Sequence, residues 1–199
     1  MAHLIEKNKK YLLKYLYKKI ANWYTPNYHN YILWEKKNTF LRKSGINIGN
    51  NVAIDENFFI LKGCEENLFI DDYSAIGIGF KVWAFHKVNI GKFNMFAGNV
   101  EISNGGHDVQ SFEPYSEPLI IGNGCWIGHG VKIIKGVTIG NNVIIGGGSV
   151  VVDNIPDNAI AVGVPAKVIK YRELPEKVWH LGNEYFCPKT FELIKEINE

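Results

Sequence analysis

The chain has 199 residues, 46% hydrophobic and 21% charged, a balance that suits one folded domain with terminal appendages. Its net charge of +2 is too small to argue for nucleic acid as a partner. Three widely spaced cysteines, Cys64, Cys125 and Cys187, form neither a disulfide framework nor a zinc pattern, and apolar runs of only a few residues give no expectation of a signal peptide or membrane span.

Residues 4 to 23 place Leu12, Leu16, Ile20 and Trp23 at helical spacing, with Lys10, Lys14 and Lys18 on another face. Pro26 ends this helix, and a second is expected over Tyr31 to Lys43, making 1–44 a helical segment. The favoured reading is a cap over the open end of the β-stack that follows. The alternative is an interfacial helix: six lysines among residues 7 to 19, with Tyr11, Tyr15, Tyr17, Trp23 and Tyr24, suit a bilayer carrying anionic lipid.

From Gly45 the spacing changes. Ile48, Ile54 and Ile60 stand six apart with Val52 and Phe58 behind. Ile78, Ala84, Ile90, Phe96 and Ile102 form a second run with Val82, Val88 and Val100 behind, and a slip falls near Ile70 to Ile78. The period is cleanest at Ile121, Ile127, Ile133, Ile139, Ile145 and Val151, four positions ahead of Cys125, Val131, Val137, Val143 and Ser149. Helix and simple strand give other spacings. Short strands joined by tight corners return the same inward position each time, as in a parallel β-helix built from hexapeptides. About five coils are expected, a prism on the order of 24 Å tall at about 4.8 Å per coil. Gly63-Cys64-Glu65-Glu66-Asn67 reads as a looped corner, Asn50, Asn51, Asn141 and Asn142 as corner residues tolerant of positive φ, and Cys125 as inward packing.

After Ile102 the repeat breaks into Ser103-Asn104-Gly105-Gly106-His107-Asp108, continues through Glu113, Pro114, Tyr115, Glu117 and Pro118, and resumes at Ile120-Ile121-Gly122. Loops inserted at solenoid corners are the usual place for function, and the imidazole of His107, at the root of this loop of about 103–119, is the commonest kind of general base. Beyond the prism, Leu174 to Gly182 and Pro188 to Asn198 read as two short helices in a tail over 171–199.

Three strings carry a resemblance: Ile-Gly-Asn-Gly-Cys-Trp-Ile-Gly at 121 to 128, Val-Thr-Ile-Gly-Asn-Asn-Val-Ile-Ile-Gly-Gly-Gly-Ser-Val-Val at 137 to 151, and Val-Gly-Val-Pro-Ala-Lys-Val-Ile-Lys at 162 to 170. With the His-Asp loop before them, residues 45 to 172 resemble the left-handed β-helix acyltransferases, in the branch of sugar O-acetyltransferases related to maltose, galactoside and exopolysaccharide acetyltransferases. The resemblance implies a mainly β fold whose prism over 45–170 has a left-handed coil, a hand that spacing does not give. It implies acetyl-CoA as donor, no metal, and a homotrimer acting on a sugar or glycan acceptor between adjacent prisms. Composition and the unpatterned cysteines give the expectation of a cytoplasmic location, and the interfacial reading of the N-terminal helix would add a contact at the inner face of the membrane.

By that resemblance His107 is the base, with Asp108 beside it. The backbone N–H of His129 is the oxyanion donor, Trp126 an aromatic at the site, Gly128, Gly146 and Gly147 ground on which pantetheine lies, and Lys167 and Lys170 cations near the CoA phosphates. Asp108 is adjacent to His107, but neighbouring side chains often point apart, so Glu101, Asn104 or a backbone carbonyl could orient the imidazole instead. Two departures stand out. Asp153 replaces a basic residue of the family, and the acceptor-binding asparagine of the galactoside branch has no match near Gly77 to Gly79. Rival readings are a γ-type carbonic anhydrase using His86, His107 and His129, an N-acetyltransferase on a nucleotide-linked amino sugar, and a scaffold without activity.

Overall fold

Aliphatic residues six apart build three narrow parallel sheets, the faces of a triangular prism. The computed structural model describes residues 12–20, 31–180 and 184–194. The first face stacks Asn47–Ile48, Leu68–Ile70, Val88–Ile90, Leu119–Ile121 and Thr138–Ile139. The second stacks Ala53–Ile54, Ala75–Ile76, Met95–Phe96, Trp126–Ile127, Ile144–Ile145 and Ala159–Gly163, and the third Phe59–Ile60, Lys81–Trp83, Glu101–Ser103, Lys132–Ile134 and Val150–Val151. Five coils therefore close, and Ile155 and Ala159–Gly163 begin a sixth. Ile48, Ile70, Ile90, Ile121 and Ile139 sit in register on the first face, all buried, and the other faces repeat the arrangement. Each face thus lines the interior with a column of apolar side chains removed from water, aliphatic except for Phe96, which is the main source of stability.

The frame of the second coil differs from the expected one. Ile78 is exposed at a corner, and the buried series runs Ile70, Ile76, Val82. The slip falls later, between Val82 and Ile90, which stand eight apart instead of six because the corner at Phe85-His86-Lys87 is longer. Ala84, buried, belongs to that corner and not to a strand. The Gly63–Asn67 corner contains a single 3-10 turn over Glu65–Asn67, as a looped corner requires.

At the corner between the first and second faces Asn51, Tyr73, Phe93, Gly124, Asn142 and Asn158 all have positive φ. Asn50 and Asn141, expected to share that role, do not appear among the positive-φ residues. The Asn50 N–H donates to Asp72 instead, and the Asn141 side chain accepts from the Asn123 N–H. For Tyr73 and Phe93 the left-handed conformation costs about 1–2 kcal/mol each. Ring stacking offsets it: Tyr73 lies 4.9 Å from Phe93, and Phe93 lies 4.7 Å from Phe186.

Phe186 belongs to a three-stranded antiparallel sheet of Val178–His180, Glu184–Cys187 and Glu192–Ile194, where helices were expected from Leu174 to Gly182 and Pro188 to Asn198. The correction has a physical reason: a two-residue period puts Val178, His180, Phe186 and Leu193 on the side that meets the aromatic corner, and that burial overrides local propensity. Burial also lowers the His180 pKa from 6.5 to about 4, against a hydrogen bond with the Tyr73 backbone that raises it. The folded state holds His180 neutral, so its contribution is fully present above pH 6.5 and is lost as pH falls towards 4, by roughly 3 kcal/mol. The melting temperature should therefore fall more steeply between pH 6.5 and 4 in the parent than in His180→Gln. Equal slopes would remove this group from the acid response.

Helix α1, residues 12–20, and helix α2, Tyr31–Lys43, meet the open end of the first coil. The carbonyls of that coil have no further strand to pair with, and side chains replace it. Asn38 donates to the Val52 carbonyl, Arg42 to those of Ile48 and Gly49, Lys37 to that of Asp55 and Lys18 to that of Ile60. The lysine side of α1 faces the prism, with Lys14 on Glu66 and Lys18 on Glu65, while Leu12, Leu13, Tyr15 and Leu16 are exposed. Residues 4–11 and 21–23 of the expected helix lie outside the described residues. Among the described residues no helix is long and apolar enough to cross a membrane.

Candidate active site

The loop after Ile102 is a β-hairpin, Gly105–His107 paired with Pro114–Ser116, rising from the corner between the third and first faces. Its root is clamped by the fully buried Asn104. The side-chain amide donates to the carbonyls of His86 at 2.9 Å, Lys87 at 3.3 Å and Glu117 at 2.8 Å, and its oxygen accepts from the His86 N–H. One side chain thereby joins both ends of the insertion to the corner below.

His107 Nδ1 lies 2.8 Å from the Phe112 carbonyl oxygen. A carbonyl can only accept, so Nδ1 carries the proton and Nε2 keeps a free lone pair, the tautomer a base needs. A backbone carbonyl therefore orients this ring. Asp108 is turned to the hairpin tip, where its Oδ1 accepts from the Ser111 N–H at 2.8 Å, the Gln110 N–H at 3.0 Å and the Ser111 hydroxyl at 3.1 Å. The Ser111 N–H, then the Gln110 N–H and the Ser111 hydroxyl hold its carboxyl below the usual range. Those bonds shape the turn that presents the Phe112 carbonyl, with Phe112 at a φ of 58°. Asp108 thus touches His107 only through the backbone, a relation that sequence adjacency does not reveal.

The other expected site residues gather elsewhere. Gly128, His129 and Gly147 stand at the corner between the second and third faces. A Cβ on Gly128 would meet the Gly147 nitrogen at 2.6 Å, so stacking of the two coils requires glycine there. The His129 N–H has no acceptor among the described residues, although its carbonyl accepts from Gly148 at 2.8 Å. A Cβ on Gly147 would come within 3.7 Å of that nitrogen, so the bare glycine leaves the N–H accessible. The His129 ring points to Asn99, Nε2 to Nδ2 3.4 Å.

Trp126 is exposed on the second face between Met95 and Ile144, at one end of an apolar groove of about 190 Å³ that Trp34 closes at the other. Gly146 lies under Val162, on the same face. The strand that ends the second face, Ala166–Tyr171, runs antiparallel to Ala159–Gly163 with a bulge that skips Ile169. Lys167 opposes Val162 and Lys170 opposes Ile160, so the bulge brings two lysines three apart to one side of the sheet, where a regular strand would separate them. Asp153, in place of the family's basic residue, holds Lys167 Nζ at 3.0 Å.

The structure thus makes two groups. Trp126, Gly128, His129, Gly146, Gly147, Lys167 and Lys170 follow the second face and its far corner, whereas His107 and Asp108 stand at the corner between the third and first faces. His86 lies with His107 and away from His129, so the three histidines do not converge in one chain, and no group of three His, Cys, Asp or Glu among the described residues is placed to hold a metal ion. Of the groups that sequence offered to orient His107, the backbone carbonyl is the one observed, although nothing in the sequence marks it as that of Phe112, and Asn104 instead clamps the loop root, a role for which an asparagine followed by two glycines was the available signal.

The bacterial transferase hexapeptide model, of six repeats, matches residues 118–153. The galactoside O-acetyltransferase of Escherichia coli (strain K12) is 34% identical over 151 residues, spanning 73% of this chain and 72% of that protein. Among solved structures, a maltose O-acetyltransferase from Clostridium difficile 630 superposes with a TM-score of 0.56 at 30% identity, over 81% of this chain and 87% of that one. A galactoside acetyltransferase in complex with coenzyme A does so with a TM-score of 0.60 at 28% identity, over 82% of this chain and 81% of that one. The six-residue frame, the hairpin that interrupts it and these relatives agree: the chain belongs to the hexapeptide-repeat acetyltransferase family.

Proposed function

We propose that this protein transfers acetyl from acetyl-CoA to a hydroxyl of a sugar or of a cell-surface polysaccharide precursor, directly and with His107 as general base. The observation that carries the reading is the Nδ1 contact to the Phe112 carbonyl, which leaves Nε2 unprotonated. Nε2 takes the acceptor's hydroxyl proton as that oxygen attacks the thioester carbonyl. The oxyanion accepts from the His129 N–H; collapse expels the CoA sulfur, which leaves with the proton held by His107. Asp108 acts as a positioning residue through the hairpin tip. Transfer needs no acyl-enzyme, because two substrates held in register gain much of the rate by proximity.

His107 and His129 occupy different corners of the prism, separated by the width of a face. That separation supports a site shared between copies of the chain, a homotrimer with three composite sites. Acceptor-dependent release of CoA, screened over free sugars, nucleotide sugars, amino sugars and glycans, tests the activity. Release without any acceptor preference, or only with amines, would replace hydroxyl transfer.

Trp126 and the bare glycines are read as the pantetheine track and Lys167 and Lys170 as partners of the 3′-phosphate. Lys167→Glu combined with Lys170→Glu should weaken acetyl-CoA binding about tenfold or more and dephospho-CoA binding less, since reversed charge both removes attraction and adds repulsion. Calorimetry on both ligands checks this, and equal losses would take the phosphate away from these lysines.

The outward leucines of α1, with the exposed Lys19 beside them, support a peripheral contact with anionic membrane. Full-length protein should sediment with vesicles containing phosphatidylglycerol more than with pure phosphatidylcholine, and Leu12→Glu with Leu16→Glu should abolish the difference. Sedimentation independent of lipid charge and of these leucines would end that reading.

A further inference from the structure

The apolar groove of the second face continues the line of the donor groups. Below the end of the prism that carries Lys167 and Lys170, those groups are Gly146 and Gly147 on the fifth coil and the His129 N–H on the fourth. The next residues at that corner are Ala97 on the third coil and Gly77 on the second. Each is joined to the coil above by its own N–H, Ala97 to the Ile127 carbonyl at 2.9 Å and Gly77 to that of Phe96 at 3.0 Å. Both line the groove. Its floor is the outward column of the same face, Trp126, Met95, Ala75 and Ala53 in register, and Trp34 of α2 closes it about three coil steps, about 14 Å, from Trp126. A group attached at the His129 N–H and extending away from CoA therefore meets this groove first.

The lining selects the occupant. Alanine at positions 53, 75 and 97 keeps the channel clear where longer side chains would fill it. The one ionisable side chain on its wall, Asp55, stands at the far end, its Oδ1 accepting from the Glu56 N–H at 2.8 Å. A sugar seated here would leave most of its hydroxyls without partners. The asparagine that would anchor one in the galactoside branch is also missing near Gly77 to Gly79. An alkyl chain needs no such partners. An apolar cavity of about 150 Å³ takes benzene, so the groove's 190 Å³ takes a chain on the order of six carbons. The groove need not be open to solvent, because a wall supplied by the neighbouring copy at this corner would enclose a chain that enters from the His129 N–H.

Resting on the donor reading above, we infer that this groove is an acyl pocket, and that the protein also transfers acyl groups of about four to six carbons from their CoA thioesters. The step is the one already written. The acceptor oxygen bonds to the acyl carbon, the C–S bond breaks, and the hydroxyl proton passes through His107 to the sulfur.

The test is calorimetry of the full-length assembly with CoA and with unreactive S-ethyl-, S-butyl-, S-hexyl- and S-decyl-CoA, then transfer assays with acetyl-CoA and hexanoyl-CoA read by product mass. A fully buried methylene is worth about fourfold in affinity, so S-hexyl-CoA should bind at least about tenfold tighter than S-ethyl-CoA. S-decyl-CoA should gain little more, because Trp34 ends the groove. Ala75→Leu fills the channel. It should remove most of the gain and cut hexanoyl transfer at least about tenfold, with S-ethyl-CoA binding and acetyl transfer near the parent's. Trp34→Leu opens the far end and should let S-decyl-CoA bind tighter than S-hexyl-CoA. Mass and melting temperature establish that each variant is folded and assembled. S-ethyl-CoA bound with no gain in length overturns the pocket alone. So does a gain indifferent to both variants, S-hexyl-CoA held without hexanoyl transfer to an acceptor that takes acetyl, or loss of assembly in Ala75→Leu, which would make the groove a contact between copies. Binding of neither CoA nor S-ethyl-CoA sinks the donor reading, and the pocket with it.

Discussion

His107→Ala should lower turnover by at least about a hundredfold while acetyl-CoA binds nearly as before. A positioned base contributes about 10²–10⁴ in rate, so a hundredfold loss, about 2.7 kcal/mol, is the lower end of what its removal costs. Binding is spared because the donor groove stands at a different corner of the prism. The ring is exposed, and its one hydrogen-bond partner among the described residues is the Phe112 carbonyl, so its loss opens no cavity and leaves no buried charge. His107→Asn sharpens the test: its amide nitrogen stands where Nδ1 does and can still donate to that carbonyl and hold the hairpin, yet it has no lone pair basic enough to take a hydroxyl proton. Both variants should lose kcat alike. If the asparagine variant kept most of its turnover, the ring's service would be to the loop and the base would have to be sought elsewhere.

The prism was legible because its periodicity is enforced by sterics: an interior column accepts only apolar side chains, and each must recur where the chain returns. Ile121 through Val151 show this without error. Where corners vary in length the pattern lost its frame, as at Ile78, because sequence shows the number of residues between two inward positions but not which corner absorbed the surplus. The tail failed for a different reason. Its strands exist through Phe93 and Tyr73, aromatic rings at positive φ a hundred residues away in sequence, and no local signal reports such a dock. Within the site, residue types that could act as base and cation were readable, since few side chains can do those tasks. What orients them was not, because the partner of His107 is a main-chain carbonyl set by a three-bond cap on Asp108, and the shared side of Lys167 and Lys170 depends on a bulge at Ile169.

Mixing two inactive chains should restore activity. In His107→Ala the base is gone but the groove of the second face is intact; in Gly147→Trp the base is intact but an indole covers the ground beside the His129 N–H. A Cβ at Gly147 meets the His129 carbonyl oxygen at 3.2 Å, which the backbone must relieve by a few tenths of an ångström, and the nitrogen at 3.7 Å, while the exposed indole points to solvent space, so the melting temperature and mass of the variant are checked before mixing. Each homo-oligomer then lacks one half of every site. After joint dissociation and reassembly in equal amounts, a site shared across an interface draws its His107 from one chain and its His129 N–H from the next. About a quarter of interfaces pair an intact base with an intact groove by chance, so about a quarter of parental activity should return. Unmixed controls taken through the same cycle should stay silent, and mass spectrometry should show both chains in one assembly. If mixed assemblies form and remain inactive, His107 and the His129 N–H serve one chain, and a face-wide rearrangement of the hairpin would be needed to unite them; the separation of the two corners by the third face makes that outcome the one that overturns the composite site.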